Sequence, residues 1–179
     1  MKDPASGPFL FDTSANVLLS RTRDPELLEW YRTYARVHEV HVSAVTVIER
    51  TRGYALAWHH SDAARRAKVE AMNAEYLRNL GPVLPIDTRV AVFAAEIMAL
   101  LPNAPLRRKR SHRETESRSE RLSRWRFDVM IAATALVAGM TLIHNNADDF
   151  ETIRGAIERS PARFPKLGPL ELVRCQAVA

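Results

Sequence analysis

The chain predicts an α/β fold built on a mainly parallel central sheet. Two observations carry this. Short apolar, strand-like runs alternate with longer segments of helical spacing along the whole length, the order that parallel strands joined by helical crossovers require. The chain of 179 residues, 46% hydrophobic and 26% charged, is long enough for one domain with a buried core and short for two. One domain over 1–179, with a basic insert at about 102–126, is therefore expected.

Phe9–Phe11 reads as a buried strand after a turn-prone stretch holding Pro4 and Pro8. SANVLLSRT, after Asp12, has helical spacing. Asp24-Pro25 opens a second helix, with aspartate as cap, proline at the first helical position, and Leu27, Leu28, Tyr31 and Tyr34 as its apolar stripe. Val40–Val45 alternates like a strand, and Thr46–Trp58 returns to helical spacing. Ser61-Asp62 caps a helix from Ala63 to Leu80, closed by Gly81-Pro82. Val83–Ile86 is a strand candidate weakened by Pro85. In the helix Thr88–Leu101, Val90, Phe93, Ala94, Ile97 and Leu101 fall on one face. The apolar pattern then collapses until a helix from Val129 to Ala138, a strand from Met140 to His144, a short helix from Ala147, and an edge strand at Leu170–Val173.

The N-terminal MKDPASGPFL has no apolar stretch of the signal-peptide kind. The longest mostly apolar run, Val129 to Ile143, is split by Gly139 and falls short of the roughly 20 residues that span a bilayer. The single cysteine, Cys175, excludes an internal disulfide. A cytoplasmic protein without membrane contact is expected. Charge is informative by position. Leu101 to Arg126 holds nine basic and three acidic residues, a local +6 in a chain of net +5. All the excess positive charge lies in this insert, which suggests a phosphate-rich partner or, more simply, a solvated loop.

Four acids stand where strand-like runs give way to helical ones: Asp12, Glu49, Asp128 and Asp149. At strand ends of a parallel sheet such carboxylates can converge and hold a hard divalent cation through oxygen. Each also has an ordinary explanation. Asp12 and Asp128 can cap helices, Thr46 to Glu49 matches a capping box, and Asn146 with Asp149 resembles a helix start. His59 and His60, adjacent on a helix, do not share a face and read as a helix end.

FDTSA, VSAVTVIERTRG, FDVMIAATALVAGMTLI and HNNADDF, in this order and spacing, together resemble the PIN-domain ribonucleases, and within them the VapC-type toxins of bacterial toxin–antitoxin pairs. The resemblance covers nearly the whole chain apart from the basic insert. It implies a PIN-like three-layer α/β/α fold and a metal-dependent endoribonuclease. In such a site Asp12, Asp128 and Asp149 would be direct or water-mediated ligands of Mg²⁺ or Mn²⁺. Glu49 would complete the shell or orient the attacking water, and Thr13, Ser14 and Asn146 would support the carboxylates. His144 stands where a threonine is common. The resemblance further implies a structured RNA substrate such as transfer or ribosomal RNA, a cognate antitoxin, and a homodimer able to assemble further with that antitoxin. Arg124, Trp125 and Arg126, just before Asp128, are candidate RNA contacts: the arginines for phosphate, the indole for an unpaired base or, more simply, for packing in the core. The apolar residues of the early helices, Leu18, Leu19, Leu27, Leu28, Trp30 and Tyr31, can face either the core or a partner. A non-catalytic RNA-binding module and a metal-dependent DNA nuclease of the flap type are the competing readings.

Overall fold

The computed structural model describes residues 2–102, 117–164 and 167–175. Among these residues five strands, β1 (Phe9–Phe11), β2 (His41–Ser43), β3 (Val83–Leu84), β4 (Thr141–His144) and β5 (Leu172–Arg174), form one sheet in the order β3-β2-β1-β4-β5. Every pairing is parallel. Helices fill the connections: α1 (Thr13–Arg21), α2 (Pro25–Val37), α3 (Ala44–His59), α4 (Ala63–Arg78), α5 (Thr88–Leu100), α6 (Arg118–Ala138) and α7 (Ala147–Glu158).

Strand alternation divides the core into two. Leu10 and Leu142 point to one face, where they pack with Val90, Ile97, Ile131 and Ile153 from α5, α6 and α7. Phe9, Phe11 and Ile143 point to the other, against Leu19, Leu27 and Tyr34 from α1 and α2. The result is the expected three-layer α/β/α arrangement. Leu19 and Leu27 belong to the core, and Leu18, Trp30 and Tyr31 pack against it; the apolar stripes of the early helices are thereby largely accounted for. Tyr34 also fixes β1 in place. Its hydroxyl accepts from the Phe9 N–H at 3.0 Å and donates to the Glu39 carbonyl at 3.0 Å.

The chain leaves the central β1 toward β2 and β3, then returns to place β4 on the other side. The crevice beyond the carboxyl ends of β1 and β4 is thus the switch point at which α/β sheets form their sites. The Asp12 N–H continues that ladder by donating to the Ile143 carbonyl at 2.9 Å.

The helix α6 differs from its expected form. It begins at Arg118, well before Val129, under a reciprocal capping box between Ser117 and Glu120. Asp128 is therefore interior to the helix and caps nothing. Residues 118–126 of the basic insert are helical, and 103–116 lie outside the described residues. Gly139 ends α6 in the left-handed region, at φ 65°, where glycine carries no side-chain penalty.

Candidate metal and nuclease site

Each of the four acids reaches the crevice from a different element. Asp12 caps α1: it accepts from the Ala15 N–H at 2.6 Å and from the Ser14 hydroxyl at 2.7 Å. Capping and a place in the site are here compatible, because the first turn of α1 starts at the crevice. Glu49 lies inside α3, whose N-cap is Ser43. The capping box expected from Thr46 to Glu49 does not form, since β2 ends at Ser43 and the helix starts before Thr46. The Glu49 carboxylate instead accepts from the Thr13 hydroxyl at 2.5 Å. Asp149 is in the first turn of α7. Asn146 sits at the N-cap position of α7 but makes no cap bond. Its amide donates to Asp149 at 2.6 Å and to Asp128 at 3.1 Å.

Burial and mutual repulsion shape the electrostatics. Asp12, Asp128 and Asp149 are 3%, 7% and 6% exposed, so charge on them is costly. Burial raises the Asp12 carboxyl to about 6, against the pull of its bonds to Ala15 and Ser14. Asp128 is raised well above the carboxylate range, first by burial and then by Asp149, Asp12 and Glu49, and it shares a side-chain hydrogen bond with Asp149. Repulsion from all three other acids on Asp128 accords with their convergence, and the Asn146 amide joins Asp128 and Asp149 directly. Glu49 is raised by burial, with Thr13, Arg124 and Arg52 opposing.

The donor chemistry, carboxylate oxygens with an orienting amide, suits a hard cation. The geometry is looser than the chemistry. Among the described residues, no three His, Cys, Asp or Glu side chains are arranged ready to hold a metal ion. The carboxylates are engaged with Ala15, Thr13, Asn146 and one another, and these bonds would have to be exchanged for a cation.

The proposed RNA contacts divide. Arg124 lies one helical turn before Asp128 on the same face, is exposed, and acts on Glu49. Arg126 is turned about 200° around the helix from Asp128 and faces away. Trp125 is not available for a base: it is 2% exposed within the core between α5 and α6, its indole N–H directed to the Leu101 carbonyl at 3.4 Å. Arg121, two turns before Asp128, shares the face of Arg124, and its Nη2 is buried with no hydrogen-bond partner among the described residues. Seven-residue spacing to Asp128 was the signal for it, hidden within a run of many arginines.

Behind the site, two groups are inert. His144 is buried against Phe150, its Nδ1 without a hydrogen-bond partner among the described residues. Burial lowers its imidazole to about 4, so it is neutral. Cys175, the single cysteine, lies near Asp12. Burial and then Asp12 push its thiol up to about 11, which removes thiolate character.

Among curated proteins no sequence matches. Solved structures do match in fold. The VapBC2 complex of Rickettsia felis, bound to a DNA fragment from its promoter, aligns with a TM-score of 0.59 at 14% identity over 94% of this chain and 98% of that one. FitAcB of Neisseria gonorrhoeae gives 0.54 at 20% over 82% and 93%. VapBC-5 of Mycobacterium tuberculosis, a toxin–antitoxin system, gives 0.51 at 21% over 93% and 98%. At such identities these likenesses speak to fold. The PIN domain family model matches residues 9–156, a span that runs from β1 into α7 and takes in all four acids; the chain belongs to the PIN-domain family.

Proposed function

We propose that this protein is a metal-dependent endoribonuclease, cutting structured RNA such as transfer or ribosomal RNA as the toxin of a toxin–antitoxin pair. The observation that carries the reading is the meeting of Asp12, Glu49, Asp128 and Asp149 at the β1/β4 switch point, with Asp128 sensing the other three. The toxin assignment leans on the solved structures of like fold, which are toxin–antitoxin complexes. A homodimer closed by an antitoxin, with further assembly on DNA, is the corresponding proposal for partners.

When bound, Mg²⁺ or Mn²⁺ would supply Lewis-acid stabilisation of the phosphoryl oxygens and a more acidic water. Asp128 and Asp149 would hold it, with Asp12 facing them. Asn146 orients both holding carboxylates through one amide. Glu49 has a different task. Its carboxyl is raised by burial and held in place by the Thr13 hydroxyl, which suits an acceptor for the proton of the attacking water. Arg124 and Arg52, close enough to act on Glu49, would bind the phosphate from the outer side.

The test is incubation of the protein with transfer RNA and with a DNA oligonucleotide, in Mg²⁺ and in chelator. RNA cut only with Mg²⁺, and at least ~100-fold more slowly by Asp12→Asn, is expected. Cleavage indifferent to chelator, equal cleavage of DNA, or RNA bound but never cut would each reverse the reading.

A further inference from the structure

A second concavity opens one helical turn along α1 from the carboxylates, with a volume of about 660 Å³, within the range typical of small-ligand sites. Asn16, one turn beyond Asp12 on α1, and Arg50, next to Glu49 on α3, line it. Thr13 bonds to Glu49, and a second bridge joins the same helices one turn further along α1: the Arg50 guanidinium donates to the side-chain amide oxygen of Asn16 at 3.4 Å. Arg50 is held by more than this. It lies 4.6 Å from the centre of the Tyr76 ring and 5.8 Å from that of Tyr54, and it donates to the Tyr54 hydroxyl at 3.2 Å. These bonds use two of its five N–H groups, and among the described residues no carboxylate pairs with it. Arg36 and two acids, Glu39 and Glu75, occupy the exposed rim. An arginine fixed in orientation, aromatic-backed and without an acidic partner is built to receive an anion.

We propose that this cavity is a nucleotide subsite of the same nuclease. Its ligand is the nucleotide next to the scissile phosphate: the phosphate on the remaining N–H groups of Arg50, the base against the Tyr54 ring and the guanidinium plane. The assignment rests on the ribonuclease reading and specifies how that site holds its substrate strand.

Fluorescence anisotropy with a labelled single-stranded oligoribonucleotide, in chelator so that nothing is cut, tests it. Arg50→Gln should weaken binding about tenfold and lower the salt slope by about one. Met72→Glu alters the exposed lining of the cavity and should weaken binding without touching the core. Thermal unfolding of both variants checks folding independently. Affinities within twofold of the unaltered protein in both variants overturn the subsite. If Arg50→Gln instead releases the enzyme from its antitoxin with RNA affinity unchanged, the cavity belongs to a protein segment, and the proposal is overturned equally. The cleavage assay separates the two ideas. RNA held through Arg50 but never cut sinks the nuclease and spares the subsite; RNA cut with unaltered KM by Arg50→Gln does the reverse.

Discussion

Asp12 carries two duties that pull its proton affinity in opposite directions. As a helix cap it is favoured as a carboxylate; as a buried neighbour of other acids it is favoured as a neutral acid, and burial dominates. A carboxyl raised from 3.8 to about 6 on folding binds its proton more tightly in the folded chain. Stability is then fully present below about pH 4, declines as pH rises through about 6, and levels off beyond. Asp12→Asn keeps a capping oxygen and removes the charge. Its stability relative to the unaltered protein should therefore rise between pH 4 and pH 7 by roughly 1–3 kcal/mol, measured by urea unfolding without divalent metal. A difference constant across that window would contradict the electrostatic account. Asn146 gives a second residue-scale expectation. Since one amide steers both Asp128 and Asp149, Asn146→Ala should weaken Mn²⁺ binding about 10–100-fold by calorimetric titration. Unchanged affinity would show that the amide only closes the start of α7.

At the scale of elements, α6 decides which part of the basic insert can meet a substrate. It is anchored at β2 through the Thr134 and Ser43 hydroxyls, 3.2 Å apart, and toward α5 through Trp125. Its Asp128 face then carries Arg124 and Arg121. Arg124→Ala should lower RNA affinity severalfold to tenfold in chelator, whereas Arg126→Ala should leave it near its starting value; the reverse order would mean that α6 is rotated from the orientation described. Trp125→Ala should cost about 3–5 kcal/mol of stability rather than a specific loss of RNA binding. The sequence showed where most helices begin, because Asp12, Asp24 and Asp62 are strong local caps before segments of helical spacing. It did not show the start of α6. The Ser117–Glu120 box was present, but the following turns have only Leu122 and Trp125 as apolar anchors, and charge hid the period. The false box at Thr46 failed for the opposite reason: a capping pattern is local, and the end of β2 placed the true cap at Ser43.

For the whole molecule, the central consequence of the topology is that a reversal of strand order at β1 brings residues from four distant segments to one crevice. This was legible in outline, since alternating elements already implied a parallel sheet with its functional groups at the strand ends. What the pattern could not show was how tightly the acids meet, because that depends on rotamers and on the competing bonds of Ala15, Thr13 and Asn146. Nor could it reveal the cavity of Asn16, Arg50, Tyr54 and Tyr76, whose walls come from helix faces with no sequence signature in common. No helix among the described residues is long and apolar enough to cross a membrane. Diffraction from crystals grown with Mn²⁺, recorded for its anomalous signal, is the most direct measurement. The account predicts a peak within about 2.0–2.2 Å of carboxylate oxygens of both Asp128 and Asp149. No peak there at saturating Mn²⁺, or a peak elsewhere on the protein alone, would contradict it.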